Sequence, residues 1–67
     1  MQEFDFGKHL KQIRVSNHLT QKQVVEILHC SINKYASWEQ GRTEPDIEGI
    51  RTLCKIFNVS ADDLLEP

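Results

Sequence analysis

The chain has 67 residues, enough for one small domain, and domains of this size bury only about 60 % of the surface that their unfolded chain exposes. Hydrophobic residues make up 39 % of the chain, which is too many for a disordered segment. The net charge of −2 excludes a strongly basic protein. The lack of a long apolar run or a signal peptide predicts a cytoplasmic protein rather than a membrane or secreted one.

The first predicted element is a helix from Asp5 to about Asn17. Asp5 is a favoured N-cap residue, because its carboxylate accepts a hydrogen bond from a free amide in the first helical turn. Phe6, Leu10 and Ile13 follow at helical spacing and therefore share one face. We expect that face to pack against the core.

Two short helices joined by a tight turn are predicted between residues 20 and 40. Thr20 and Gln23 have the spacing of a capping box at the start of the first helix, and Ser31 has the character of an N-cap for the second. The apolar stripe of the first helix consists of Val24, Val25 and Leu28. This arrangement predicts a helical hairpin that packs against the first helix.

The second of these two helices has two different faces. Tyr35 and Trp38 are three residues apart and are predicted to point into the core rather than to serve as stacking platforms. The opposite face consists of Ile32, Asn33, Ser37 and Gln40. A face with amide and hydroxyl groups and one aliphatic side chain suits the DNA major groove, where Asn bonds adenine twice and an aliphatic group contacts the thymine methyl.

Two further helices are predicted after the loop of residues 41–45. Asp46 is the cap of the fourth helix, and its predicted core face consists of Ile47, Ile50, Leu53, Cys54 and Phe57. Ser60 and Asp63 have capping-box spacing at the start of a short fifth helix that contains Leu64 and Leu65. Hydrophobic-staple positions around three of the caps are occupied by Leu19 with Val24, Cys30 with Tyr35, and Val59 with Leu64.

Charge is distributed unevenly along the chain. Residues 1–43 carry six basic and four acidic side chains, a net charge of +2, whereas residues 44–67 carry two basic and six acidic ones, a net charge of −4. A nucleic-acid-binding face is therefore predicted in the first part, with the acidic part pointing away from it.

The chain resembles the helix-turn-helix domains of the phage-repressor family, the Xre/Cro-like proteins. The resemblance covers nearly the whole chain and rests on the LTQ start, the W-E-x-G end, the following Pro45 and the tail NVSADDLL. It implies an all-α, compact, five-helix, lambda-repressor-like fold, with residues 1–67 as a single domain and the helix-turn-helix at residues 20–40. The family often has glycine where this chain has His18, His29 and Asn58, so we expect left-handed backbone there.

The resemblance also implies which residues meet DNA. The base-contacting candidates are Ser31, Ile32, Asn33 and Ser37, and the phosphate-contacting candidates are Gln21, Lys22, Lys34, Gln40, Arg42 and Thr43. Each of these polar side chains has an alternative interpretation as a solvated surface group. Asn33 is the strongest candidate for base recognition, because a bidentate Asn–adenine contact discriminates by about 1–3 kcal/mol.

Two structural roles are implied by the same family. Arg14 and Glu39 are expected to form a partly buried salt bridge that orients the second helix of the helix-turn-helix, the recognition helix. A homodimer is expected to form through Phe57, Asn58, Val59 and the exposed parts of Leu64 and Leu65. Each subunit would then place one helix in the major groove of a near-palindromic operator.

The cysteines and histidines do not indicate a metal centre or a disulfide framework. His29 and Cys30 are adjacent, but no CxxC or HxxxH spacing is present, so we predict no metal and no cofactor. Cys30 and Cys54 are expected to be reduced and partly buried. No paired carboxylates, nucleophile motif or phosphate loop points to an enzyme.

Two functions follow from the sequence. The first is a dimeric repressor or regulator that binds double-stranded DNA in a sequence-specific manner. Activation, through a contact between its acidic residues and RNA polymerase, remains an alternative to repression. The second is a protein-interaction module, or the DNA-binding half of a longer regulator, as in an antitoxin or a regulator controlled by an antirepressor. Strong salt dependence of DNA binding favours the first function, and salt-insensitive binding to a protein partner favours the second.

Overall fold

A computed structural model describes residues 4–65 of the chain, and within them the regular secondary structure is five α-helices and no strand, as predicted. The helices are α1 (Phe6–Ser16), α2 (Gln21–Leu28), α3 (Ile32–Glu39), α4 (Ile47–Phe57) and α5 (Ala61–Leu65). Among the described residues, no helix has both the length and the apolar character needed to span a membrane.

The predicted caps begin the helices. Asp5, Thr20, Ser31 and Asp46 each accept a hydrogen bond from the backbone amide three residues later, at 2.8–3.1 Å. The Thr20–Gln23 capping box is complete, since the Gln23 side chain also accepts from the Thr20 amide at 2.8 Å. At α5 the Asp63 amide donates to the Ser60 hydroxyl at 3.0 Å, which is one half of the predicted box.

Helices α1 to α4 all end in the same way. In each, an amide beyond the helix donates to the carbonyl five residues earlier, the closing bond of a Schellman motif. The four bonds are Leu19 to Arg14 at 3.2 Å, Cys30 to Val25 at 3.3 Å, Arg42 to Ser37 at 3.0 Å and Val59 to Cys54 at 3.1 Å. The left-handed residues are His18, His29, Gly41 and Asn58, with φ between 54° and 78°, which confirms the three non-glycine positions predicted.

The core is built from all five helices: α1 and α2 pack against α3, α4 packs against α2, and α5 packs against α1 and α4. Leu10, Val24, Tyr35, Leu53 and Leu64 are fully buried there. Tyr35 and Trp38 point inward as predicted, and their rings meet edge to face with centroids 5.7 Å apart. Because α3 is anchored by these two aromatic side chains, its opposite face is left on the surface.

One predicted core residue of α4 is wrong. Ile47 is 78 % exposed, whereas Gly49, Leu53 and Phe57 form the buried stripe of this helix. With about 3.6 residues per turn, residues 49, 53 and 57 lie along one line, and residue 47 lies roughly a third of a turn away from it. The sequence pattern did not predict this orientation, because Gly49 has no apolar side chain to mark it as buried, although it packs against the edge of the Trp38 ring.

Candidate nucleic-acid interface

The first turn of α3 presents three of the four predicted base-contacting residues. Ser31, Ile32 and Asn33 are all exposed, and Lys34 lies beside them. Ser31 also caps the helix, because its hydroxyl oxygen accepts from the Lys34 amide at 3.1 Å. The exposed end of α3 therefore combines an amide, an aliphatic group and a cation on a fixed backbone.

Ser37, the fourth predicted base-contacting residue, is placed differently. Its side chain is only half-exposed, and its Oγ lies 2.8 Å from Oγ1 of Thr43 in the loop that follows α3. The Ser37 carbonyl also accepts from the amides of Arg42 and Thr43, at 3.0 and 3.4 Å. The predicted phosphate-contacting residues Gln40, Arg42 and Thr43 are exposed on this loop.

A buried ion pair connects α1 to the last turn of α3. Arg14 Nε donates to Glu39 Oε2 at 2.7 Å and Arg14 Nη2 donates to Glu39 Oε1 at 3.2 Å, so the pair is bidentate. The side chains are 11 % and 4 % exposed, respectively. Arg14 Nη1 also donates to the Leu19 carbonyl at 2.8 Å, which ties the α1–α2 turn to the same cluster.

Gln21 contributes to this cluster as well. Its Nε2 donates to Glu39 Oε1 at 3.0 Å, and the residue is half-buried, so the amide points towards the ion pair rather than freely outward. The backbone amide of Gln21, in the first turn of α2, has no helical partner of its own. Lys22, the neighbouring phosphate-contacting candidate, is exposed.

The cluster shifts the pKa values of its members. Burial opposes the charged form of Glu39, but the hydrogen bonds from its neighbours, Arg14 first, outweigh burial and lower the pKa of Glu39. The hydrogen bond to Glu39 raises the pKa of Arg14 despite desolvation. Burial, reinforced by the Glu39 carboxylate, strongly raises the pKa of Tyr35, so both charges of the ion pair and the neutral phenol persist at pH 7. The Tyr35 hydroxyl has no hydrogen bond of good geometry among the described residues.

Two residues of the predicted dimer interface belong to the core of the single chain. Phe57 is 3 % exposed and Leu64 is fully buried, so neither has a free apolar surface to offer a partner. Their burial follows from α4 and α5 folding back on α1 and α2. The remaining candidates are Asn58, the half-buried Val59, and Leu65, which is 40 % exposed.

The cysteines and histidines are dispersed. Cys30 and Cys54 are free thiols of intermediate burial. His9 contacts the Asp63 carbonyl through Nε2 at 2.8 Å and meets the Phe4 ring edge to face, while His18 and His29 occupy turns. Within residues 4–65 the structure groups no three potential metal ligands.

A family model described as a helix-turn-helix domain matches residues 7–66. The chain belongs to the helix-turn-helix family. The match includes all of α2 to α5 and most of α1, so it covers the capped hairpin together with the helices that support it.

The curated relatives described here include two named as transcriptional regulators and one named as an antitoxin. The chain is 36 % identical over 61 residues to the HTH-type transcriptional activator BcrR of Enterococcus faecalis, covering 91 % of this chain and 30 % of the relative. It is 36 % identical over 59 residues to the HTH-type transcriptional regulator ImmR of Bacillus subtilis, covering 88 % and 46 %. It is also 34 % identical over 59 residues to the antitoxin PezA of Streptococcus pneumoniae, covering 88 % and 37 %. The chain thus spans less than half the length of these three relatives.

The close packing of α1 against α3 requires a glycine that the sequence did not mark as important. A Cβ on Gly7 of α1 would lie 2.5 Å from the Glu39 carbonyl oxygen and 2.9 Å from that of Trp38. Both contacts are with backbone, so α3 would have to move to admit a side chain. The available signal was a glycine inside a helical pattern with no turn to explain it, which often marks close packing.

Proposed function

We propose that the chain is a sequence-specific, double-stranded-DNA-binding domain that acts as a dimeric transcriptional repressor. The observation that carries this proposal is the free surface at the start of α3. Ile32 is 46 % exposed and Asn33 lies beside it, while Tyr35 and Trp38 hold the other face of the same short helix in the core. A helix fixed in this way presents its polar end as a rigid body to the major groove.

Each exposed residue has a defined role in this proposal. Asn33 bonds adenine, Ile32 packs against a thymine methyl, and Ser31 stands at the edge of the same base pairs. Lys22, Lys34, Gln40, Arg42 and Thr43 contact phosphates on either side. Gln21 contributes through its backbone amide at the start of α2, where the helix dipole favours an anion, while its side chain braces Glu39.

Dimerisation places two α3 helices in successive major grooves, about 34 Å apart, on a near-palindromic operator. The subunits associate through Asn58, Val59 and Leu65, the exposed or half-exposed residues at the α4–α5 corner. Occupation of the operator then represses transcription by occluding RNA polymerase.

The test begins with selection of DNA from a random duplex pool. The best site is titrated at two salt concentrations with the wild-type chain, Asn33→Ala and Lys34→Ala. We expect Asn33→Ala to lose preference at one base in each half-site, by about 1–3 kcal/mol, with an unchanged salt slope. The matched variant Lys34→Ala should weaken binding to all sites uniformly and reduce the salt slope by about one. If no site is enriched from the pool, the proposal is wrong.

The second candidate function is the DNA-binding or partner-docking part of a longer regulator. It is favoured by the share of the relatives that the chain spans, 30 % to 46 % for the three described above, and by the relative named an antitoxin. In that case an antirepressor, a toxin or RNA polymerase contacts the acidic C-terminal part of the domain. Tight, salt-insensitive binding to such a protein, with weak binding to every duplex, would favour this function over the first.

A further inference from the structure

We propose that Ser37 is a positioning residue, and that its hydroxyl holds the loop of residues 41–43 in the conformation that contacts DNA phosphates. This inference rests on the proposed function and replaces the base contact expected from the sequence. It concerns the Ser37–Thr43 bond, which links the middle of the recognition helix to the loop that follows it.

Ser37 holds this loop by both its backbone and its side chain. Its carbonyl accepts from the amides of Arg42 and Thr43, and its hydroxyl lies 2.8 Å from the Thr43 hydroxyl. Gly41 makes this return possible, because its φ of 78° turns the chain and its amide donates to the Trp38 carbonyl at 3.2 Å. The loop is thus folded back onto the last turns of α3.

The Ser37–Thr43 hydrogen bond is not the one that a serine inside a helix usually makes. A serine inside a helix commonly bonds the carbonyl four residues earlier, which here belongs to Asn33. The Ser37 hydroxyl instead reaches a side chain six residues later, outside the helix. With this bond made, and with the residue half-buried, the Ser37 hydroxyl is less accessible to a base edge than the exposed side chains of Ile32 and Asn33 are.

Fixing the loop affects affinity rather than sequence preference. Arg42 and Thr43 are exposed and contact phosphates in the proposed function, and ordering a mobile loop at binding would cost conformational entropy. A loop that is already ordered avoids most of that cost. Because phosphates are the same at every base pair, the benefit is equal for all sequences.

The experiment compares the wild-type chain with Ser37→Ala on the selected operator and on operators with single-base changes, at two salt concentrations. We expect Ser37→Ala to weaken binding about 3- to 10-fold, the range for one hydrogen bond, by the same factor on every operator, and to flatten the salt slope. Ser37→Thr should retain most of the affinity. A changed base preference at any position, or an unchanged affinity of the folded variant, would overturn the inference.

The matched control is the partner residue. Thr43→Val removes the other hydroxyl and should weaken binding at least as much, while adding Ser37→Ala to Thr43→Val should have no further effect. Thr43→Ser should bind nearly as the wild type does. Fully additive effects of the two hydroxyl deletions would refute the coupling. A wild-type chain that binds no duplex defeats the proposed function itself, whereas an unaffected Ser37→Ala defeats only this inference.

Discussion

Arg14 and Arg51 each pair with a glutamate, but the two pairs lie in different environments. Arg14 and Glu39 are 11 % and 4 % exposed, whereas Arg51 and Glu48, joined at 3.3 Å on the surface of α4, are 70 % and 79 % exposed. Exposed pairs add little to stability because water and salt screen them. A buried charge that loses its partner is costly, because it is neither solvated by water nor paired, and protonating it at pH 7 also costs free energy.

We therefore expect Arg14→Ala to lower the free energy of unfolding by about 3–5 kcal/mol, because it leaves the Glu39 carboxylate buried and unpaired. The matched variant Arg51→Ala should lower it by less than about 0.5 kcal/mol. Urea titrations of the two variants and the wild type at pH 7 measure both values. An unchanged midpoint for Arg14→Ala would show that the ion pair does not stabilise the domain.

The same cluster makes stability depend on acid. Because the pKa of Glu39 in the folded chain lies below the ordinary value of 4.5, protons bind more readily to the unfolded chain. The contribution of Glu39 to stability is complete above pH 4.5 and is lost as the pH falls through the lowered pKa. Thermal melts between pH 7 and pH 2 should show a steeper loss for the wild type than for Glu39→Gln, and parallel curves would contradict this expectation.

At the scale of the helical elements, the common feature is the left-handed residue at the end of each of α1 to α4. A side chain in this region costs about 1–2 kcal/mol relative to right-handed backbone, and Asn or His reduces that cost only in part. Three of the four positions carry such a side chain, and only Gly41 is a glycine. The domain is therefore less stable than its hydrogen bonds alone would allow.

Asn58→Gly should raise the free energy of unfolding by about 0.5–1 kcal/mol, since glycine adopts a φ of 54° without steric conflict. The converse variant, Gly41→Ala, should lower it by about 1 kcal/mol or more, although its Cβ would meet no atom within 4 Å, so the effect comes from the backbone alone. Chemical denaturation measures both. If Asn58→Gly instead lowers the free energy of unfolding, the asparagine side chain stabilises the domain by more than its left-handed backbone destabilises it.

At the scale of the whole molecule, the proposed dimer depends on apolar side chains that lie outside the core. Leu65 is 40 % exposed at the proposed dimer interface, and Ile47 is 78 % exposed at the start of α4, away from it. Leu65→Gln should weaken the dimer by about 1 kcal/mol, roughly fivefold, because it removes apolar surface that the partner covers. Ile47→Gln should leave association unchanged. Sedimentation equilibrium over a range of concentrations measures both, and a wild type that stays monomeric would contradict the dimer.

The helix boundaries and caps were predictable because their signals are local. Asp5, Thr20, Ser31 and Asp46 act on amides three residues away, and the sequence shows both partners of each bond. The left-handed turns were predictable for the same reason, once the resemblance placed the helix ends.

The burial of individual side chains and the bonds between distant residues depend on contacts between helices and loops. Local sequence patterns do not show these contacts. Ile47 was assigned to the core because it is apolar, yet the neighbouring Gly49 is buried by Trp38, which comes from α3. Phe57 was predicted both in the core face of α4 and, from the family resemblance, at the dimer interface, and its 3 % exposure places it in the core. The Ser37–Thr43 bond was missed because a hydroxyl gives no sign of its partner in the sequence.

Three connections in the fold share one plan: a left-handed residue, an apolar residue and a hydroxyl cap, as in His18-Leu19-Thr20, His29-Cys30-Ser31 and Asn58-Val59-Ser60. The backbone amide of the apolar residue donates the hydrogen bond that ends one helix. Its side chain packs against the core just before the next helix begins. Such a connection has no spare residue. One inserted amino acid would rotate the following helix by about 100° about its axis, and an insertion after His29 would turn the Asn33 face away from its present direction. This architecture can therefore accept inserted residues in the longer connection between α3 and α4. It cannot accept them in the three short connections.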